Sequence, residues 1–180
     1  EDILELEAKI EKLKKQWQIE ADEITQMRLE GVRELDEKIT ESMQGLAMEG
    51  GQFAVNFIPN TPYHPYGNES IEFTVSANPG QPLQPLGKVA SGGELARISL
   101  AIAVILSMRS SLSTLVFDEV DTGVGGAVAE IIGKHLQDLS IGRQVFCVTH
   151  LPQVASFGHH HFVVAKTKGK NSTTTGITLL

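Results

Sequence analysis

The stretch Thr114-Leu-Val-Phe-Asp-Glu119 passes abruptly from apolar residues to two adjacent carboxylates. A short apolar run of this kind predicts a strand covered on both faces, as in a parallel sheet. Ligands of open α/β sheets bind at the carboxyl ends of the strands. Asp118 and Glu119 are therefore predicted at a binding edge, where Asp118 could hold Mg²⁺ and Glu119 could polarise a water molecule. A pair of helix-capping acids is the alternative interpretation.

A second apolar run, residues 144–149, ends at His150, and residues 127–139 between the two runs predict a helix. Strand, helix and strand in this order indicate a parallel α/β arrangement with a two-sided core. His150 taken alone would more often be a structural histidine. As a further polar group at a strand end, it is a candidate to contact a phosphate or to order a water molecule.

Ser91-Gly-Gly-Glu94 precedes a predicted apolar, buried helix over residues 95–109. Two glycines let backbone N–H groups approach an anion closely, and a helix N-terminus adds partial positive charge. The Ser91 hydroxyl can also donate to a phosphate. The alternative is an N-cap serine followed by a glycine turn.

Residues 1–46 predict one long helix with apolar residues spaced alternately by three and four. Such a seam is typical of a coiled coil that needs a partner helix. An amphipathic helix lying on its own domain is the alternative, although about 70 Å of helix exceeds the width of a small domain. The pattern is blurred around Arg28, which suggests a stutter. The seam consists of Ile3, Leu6, Ile10, Leu13, Trp17, Ala21, Ile24, Val32, Leu35, Ile39, Met43 and Leu46.

Alternating apolar residues predict two antiparallel strand pairs outside these elements. The first pair is 52–58 with 71–75, and the second is a hairpin of 162–166 with 173–180. The segments 59–69 and 78–85 are rich in proline, glycine and asparagine and predict irregular connections.

Charge and composition exclude several protein classes. The 180 residues carry a net charge of -7, and 41% of them are hydrophobic, which excludes a disordered chain. The acidic balance argues against a simple basic DNA-binding domain. A single cysteine fits a reducing cytoplasm. No run of 18 apolar residues and no signal peptide is visible, so we expect no membrane partner.

Four motifs now occur in a recognisable order. Ala90-Ser-Gly-Gly-Glu94 resembles the signature motif of ABC ATPases, and Leu115–Glu119 resembles their Walker B strand. Asp121-Thr-Gly-Val124 takes the D-loop position and Thr149-His150 the H-loop position. With the N-terminal coil, these motifs resemble the SMC-like ABC ATPases. The resemblance implies an α/β fold, the C-terminal lobe of an ABC-type P-loop NTPase head with an N-terminal coiled-coil helix. Residues 1–48 would end the arm and 49–180 would form the lobe.

The resemblance also implies a role for each motif residue, with ATP and Mg²⁺ as cofactors. The signature residues would bind the γ-phosphate of ATP held by the opposite head. Asp118 would support Mg²⁺, Glu119 would polarise the hydrolytic water, His150 would contact the γ-phosphate and Asp121 would link the two heads. The signature residues are Ser91, Gly92, Gly93 and Glu94.

A Walker A motif, G-x-x-x-x-G-K-[ST], does not occur in the sequence. We therefore expect the phosphate cradle to come from an N-terminal half of the same protein, and the chain to be inactive alone. The resemblance implies an ATPase of DNA double-strand break repair and recombination, cytoplasmic and nucleoid-associated. Its expected partners are that N-terminal half, a second head in a homodimer, DNA and a recombinase.

Three alternatives remain open at the level of sequence. One is an SbcC-like or SMC chromosome-organising head. Another is a non-catalytic coiled-coil adaptor with a degenerate nucleotide fold, against which Glu119 and His150 both argue. An ABC transporter subunit is disfavoured by the heptad helix.

Overall fold

The computed structural model describes residues 2–89, 91–106, 112–168 and 173–180. Ala90 of the signature motif and the expected end of the second helix at Arg109 lie outside the described residues. The chain divides into two compact units, Glu1–Ser91 and Gly92–Leu180. The division into an arm, residues 1–48, and a head lobe, residues 49–180, stays a prediction.

The first unit begins with the long helix α1, Ile3–Gln44, which confirms the predicted helix. Its two ends differ in burial. Ile39 and Met43 near the carboxyl end are fully buried, whereas the seam residues Ile3 and Leu13 near the amino end are exposed. The carboxyl-terminal part of α1 therefore contributes to the core of the unit, and the amino-terminal part carries an apolar seam in solvent.

The core against which α1 packs is a small antiparallel sheet. Strands β1, Gln52–Pro59, and β2, Glu69–Ser76, pair as the sequence predicted. A two-residue strand β3, Gln84–Pro85, adds to β2 and was not predicted, because its segment is rich in proline. Thr40 of α1 receives a hydrogen bond from the Phe53 amide at 3.0 Å, which ties the helix to the sheet.

The blurred part of the α1 seam coincides with a polar attachment. Arg28 Nη1 donates to Glu69 Oε1 at 2.8 Å and Arg28 Nη2 donates to the Tyr66 carbonyl at 3.1 Å. Thr25 Oγ1 donates to Glu69 Oε2 at 2.8 Å. Glu69 is only 6% exposed. A buried carboxylate is tolerated when it is paired and hydrogen-bonded, so polar residues replace the apolar seam where α1 meets the start of β2.

The second unit contains the predicted strand–helix–strand arrangement. Strand β4, Thr114–Phe117, pairs in parallel with β5, Gln144–Cys147, and helix α3, Gly126–Leu139, connects them. Val116 and Phe146 are exposed, Val116 by 68%. The expected two-sided core is therefore incomplete among the described residues, because these side chains on the parallel pair remain in solvent.

Helix α2, Gly92–Leu106, precedes β4 and begins three residues earlier than predicted. Its Ile98, Leu100 and Ala101 are buried, whereas residues 102–106 are only half-buried, so the expected wholly buried helix is confirmed in part. The short helix α4, Pro152–Ala155, follows β5. Strands β6, Phe162–Lys168, and β7, Thr173–Leu179, form the predicted hairpin. In the described part of the chain, no helix is long and apolar enough to cross a membrane.

We predict that Arg28→Ala destabilises the first unit by about 1–3 kcal/mol, because it leaves the buried Glu69 carboxylate without its cation. The measurement is urea unfolding followed by circular dichroism. Lys38→Ala is the matched control: Lys38 pairs with Glu34 at 2.6 Å, both side chains are exposed, and its loss should change the free energy of unfolding by less than about 0.5 kcal/mol. Equal effects of the two variants would contradict the prediction.

Candidate functional site

The turn that follows β4 carries the two predicted carboxylates. Asp118 and Glu119 are both exposed at the carboxyl end of the strand. Glu119 has a left-handed backbone with φ 59°, which is costly for a side chain with a Cβ and is usually found where the surroundings hold it. The next two residues, Val120 and Asp121, are buried. The chain thus turns inward directly after presenting Glu119 to solvent.

The end of β5 meets this turn at the same edge of the sheet. The Val148 amide donates to the Phe117 carbonyl at 2.9 Å, which extends the parallel ladder by one residue beyond β5. Thr149 Oγ1 then donates to Asp121 Oδ2 at 2.5 Å, and the His150 amide donates to the same oxygen at 3.2 Å. The structure therefore brings the residues after both strands together, as the sequence predicted for a parallel pair.

The glycine turn at the start of α2 contacts the turn after β4. A Cβ on Gly92 would lie 2.5 Å from Glu119 Oε2, and a Cβ on Gly93 would lie 3.1 Å from the Thr122 carbonyl oxygen. Glycine at both positions is what allows this close approach. The sequence reasoning did not expect the contact, because the resemblance assigns the glycine turn to ATP held by the opposite head.

Ser91 and Glu94, which lie on either side of the two glycines, occupy different environments. Ser91 is exposed directly before α2, and Glu94 is half-buried in the first turn of that helix. Among the described residues, no group of three histidine, cysteine, aspartate or glutamate side chains is arranged to hold a metal ion. Mg²⁺ is usually held by one or two carboxylates together with phosphates and water, so the exposed Asp118 fits as a single protein ligand.

Sequence reasoning missed Arg97, which joins the two turns. Arg97 is buried on α2 and its Nη1 donates to the Thr122 carbonyl at 2.9 Å. Burial lowers the pKa of Arg97, while Glu94 acts in the opposite direction. The Arg97 Nε atom is buried without a hydrogen-bond partner in the described residues. The signal available in the sequence was the arginine itself, a cation in a helix whose residues are mostly apolar.

Comparison with known proteins finds relatives of the chain among bacterial DNA repair proteins. No family model matches it. The DNA repair protein RecN of Vibrio cholerae serotype O1 is 49% identical over 147 residues, 81% of the chain and 26% of that protein. RecN of Xylella fastidiosa (strain Temecula1) is 43% identical over 98% of the chain and 32% of that protein. RecN of Bacillus subtilis is 36% identical over 96% of the chain.

The chain is homologous to RecN. It spans about a third of the length of the RecN proteins that it matches. The activity and partners of a whole RecN protein therefore do not pass to the chain by similarity alone.

Solved structures support the fold assigned to this RecN homologue. The Smc head domain with a coiled coil and joint derived from Pyrococcus yayanosii matches 96% of the chain with a TM-score of 0.56 at 20% identity, and the match covers 33% of that structure. The SmcHead bound to the C-winged helix domain of ScpA matches 88% of the chain with a TM-score of 0.54 at 16% identity, covering 46% of that structure. At this level of identity the likeness concerns the fold, which is mixed α/β with a long N-terminal helix.

Sequence identity also bears on the alternative of an SMC chromosome-organising head. The chain is 36–49% identical to these RecN proteins but only 16–20% identical to the Smc heads that share its fold. The RecN relationship is therefore favoured over an SMC chromosome-organising head.

The pKa of Cys147, the last residue of β5, is affected by the charged residues at the same edge of the sheet. The pKa of the Cys147 thiol is raised to about 11, mainly by burial and in addition by the negative charges of Asp121 and Asp118. Because the pKa is raised, the protonated thiol is the form that the folded protein stabilises.

We predict that iodoacetamide alkylates Cys147 about 100-fold more slowly in the folded chain than in concentrated urea near pH 8, since a two-unit rise in pKa lowers the thiolate fraction by that factor. The chain has one cysteine, so mass spectrometry gives the rate directly. Asp121→Asn should increase the folded-state rate by removing one negative charge. Equal rates in the two solvents would contradict the raised pKa.

Proposed function

We propose that the chain is the C-terminal lobe of an SMC-like ATPase head, joined to the returning end of a coiled-coil arm, and that it acts in DNA double-strand break repair and recombination. Residues 1–48 form the end of the arm and residues 49–180 form the lobe. The homology to RecN and the fold shared with Smc heads support this proposal.

The observation that carries the proposal is the gathering of chemically distinct groups at one sheet edge. The exposed carboxylates Asp118 and Glu119, the H-loop histidine His150 and the glycine turn of α2 all belong to the second unit. Glu119 contacts Gly92, and His150 contacts the turn that follows Glu119. This set suits phosphoryl transfer to water, which depends on positioning and on charge stabilisation.

Each residue has a role in the proposal. Asp118 ligates Mg²⁺, which supplies charge neutralisation at the phosphates when it is bound. Glu119 polarises the attacking water and His150 contacts the γ-phosphate. Ser91, Gly92 and Gly93 receive the γ-phosphate of ATP held by a second head, and Glu94 follows them in the same cofactor-binding motif. Asp121 belongs to the segment assigned to contact between heads.

The contact between Glu119 and Gly92 constrains this mechanism. Glu119 Oε2 lies where a Cβ of Gly92 would stand, so the carboxylate covers the glycine turn that is proposed to receive a phosphate. Two anions cannot share one helix N-terminus without repulsion. The Glu119 side chain is exposed. Because of this repulsion, head pairing requires it to turn away from Gly92 and towards its own nucleotide.

Exposed apolar side chains on the parallel strand pair and on α1 suggest two of the proposed partners. Val116 and Phe146 on the parallel pair suit cover by a further segment, which we assign to the Walker A half of the same protein. The exposed seam of α1 suits a second helix of the arm. A second head, DNA and a recombinase complete the proposed set, in the cytoplasm at the nucleoid.

We predict that Glu119→Gln in the full-length protein keeps Mg-ATP binding but slows hydrolysis by about 10²–10⁴-fold, because the charge that polarises water is lost. Turnover is measured by phosphate release and binding by a fluorescent ATP analogue. Glu130→Gln, a change at an exposed glutamate of α3, is the control and should retain wild-type turnover. Normal turnover in Glu119→Gln would remove Glu119 from the mechanism.

We predict that Ser91→Arg leaves ATP affinity unchanged but abolishes ATP-dependent pairing of heads and hydrolysis. A bulky side chain beside two glycines blocks the backbone approach that they allow, although the cation itself attracts phosphate. Fluorescent ATP analogue binding and light scattering measure the two properties separately. Ser99→Arg, at an exposed position of α2, is the control and should still dimerise.

Loss of ATP affinity with dimerisation intact would show that Ser91 acts on nucleotide held by its own head. The assignment of residues 90–94 as a signature motif would then fall. A full-length protein that binds no ATP at all would instead support the adaptor alternative.

A further inference from the structure

The Asp121 carboxylate is buried but belongs to an edge that is otherwise exposed. Asp121 is 1% exposed, whereas Asp118 and Glu119, three and two residues before it, are exposed. Removing a carboxylate from water costs several kcal/mol unless hydrogen bonds compensate. The contacts that Asp121 makes should therefore explain its place in the structure.

In the part of the chain that the structure describes, this carboxylate contacts Thr149 and His150, the two residues at the H-loop position. Asp121 Oδ2 accepts from Thr149 Oγ1 at 2.5 Å and from the His150 amide at 3.2 Å. His150 Nδ1 lies 3.4 Å from the same oxygen. Thr149 Oγ1 in turn accepts from the Leu151 amide at 3.1 Å, so the backbone on both sides of His150 is held.

The imidazole held in this way faces two environments. Its Nδ1 is directed at the buried carboxylate, while the His150 side chain is 70% exposed overall. A carboxylate beside one ring nitrogen favours the tautomer with the proton on that nitrogen and fixes the plane of the ring. In that neutral tautomer Nε2, on the other side of the ring, is an acceptor, and it donates to a phosphate oxygen when both ring nitrogens carry protons.

We infer that Asp121 is a positioning residue that acts within its own chain, holding Thr149 and His150 so that the imidazole Nε2 is presented to the γ-phosphate. The inference rests on the proposed function, in which His150 contacts that phosphate. The resemblance implied instead that Asp121 links two heads, but Asp121 is only 1% exposed, so its carboxylate is not open to a second head in this structure.

A double-mutant cycle in the full-length protein tests this role, with ATP turnover as the measurement. Asp121→Asn should lower kcat by about 10- to 100-fold, the range found for residues that orient a functional side chain. KM for ATP should stay within about threefold, since ground-state binding is not removed. In a His150→Ala background, the same Asp121→Asn change should alter kcat by less than about twofold, because the group through which it acts is already absent.

Variants of Thr149 provide an independent arm if Asp121→Asn fails to fold. Thr149→Val removes the donated hydrogen bond while keeping the shape, and should lower kcat in the same direction. Thr149→Ser retains the hydroxyl and should restore turnover to near the wild-type value. Urea unfolding midpoints of all variants show which of them are folded.

Two results would overturn the inference. One is a wild-type kcat in Asp121→Asn, and the other is an Asp121→Asn effect of equal size with and without His150. These outcomes are distinct from failure of the proposed function, which would appear as normal turnover in both His150→Ala and Glu119→Gln. An effect of Asp121→Asn on dimerisation alone, with kcat per dimer unchanged, would return the carboxylate to the contact between heads.

Discussion

Parallel pairing of β4 with β5 is the constraint on which the candidate site depends. The register places Phe117 opposite Cys147, and the Val148 amide extends the ladder by donating to the Phe117 carbonyl. Because both strands run in the same direction, the residues that follow them emerge at one edge. Asp118 and Glu119 lie about 30 positions before His150 in sequence, and the strand pairing brings all three to one edge of the sheet.

A second constraint is the left-handed turn at Glu119. It allows one side chain to remain exposed while Val120 and Asp121 are buried immediately after it. The exposed Glu119 contacts the glycine turn of α2. The buried Asp121 accepts hydrogen bonds from Thr149 and His150. One short turn thereby separates a carboxylate suited to chemistry from a carboxylate suited to positioning.

In the first unit, paired polar groups also attach α1 to the sheet. Paired polar groups, Arg28 with Glu69 and Thr25 beside them, replace the apolar seam where α1 meets β2. Beyond that point towards the amino end, Leu13 and Ile10 of the seam are exposed. Contacts between α1 and its own unit continue past this attachment, because Ala21 is buried and the Trp17 ring lies 5.3 Å from the Tyr63 ring.

The sequence by itself determined the local elements and the order of the motifs. A 3.5-residue spacing indicated α1, alternation indicated β1 with β2, and apolar runs indicated β4 and β5, because each pattern depends only on residues close in sequence. The tertiary structure alone decided three further features. It buried Asp121 while leaving Asp118 exposed, it placed Arg97 against the Thr122 carbonyl, and it brought Gly92 to Glu119. Each of these joins or distinguishes residues by packing between separate segments, which no periodicity within one segment encodes.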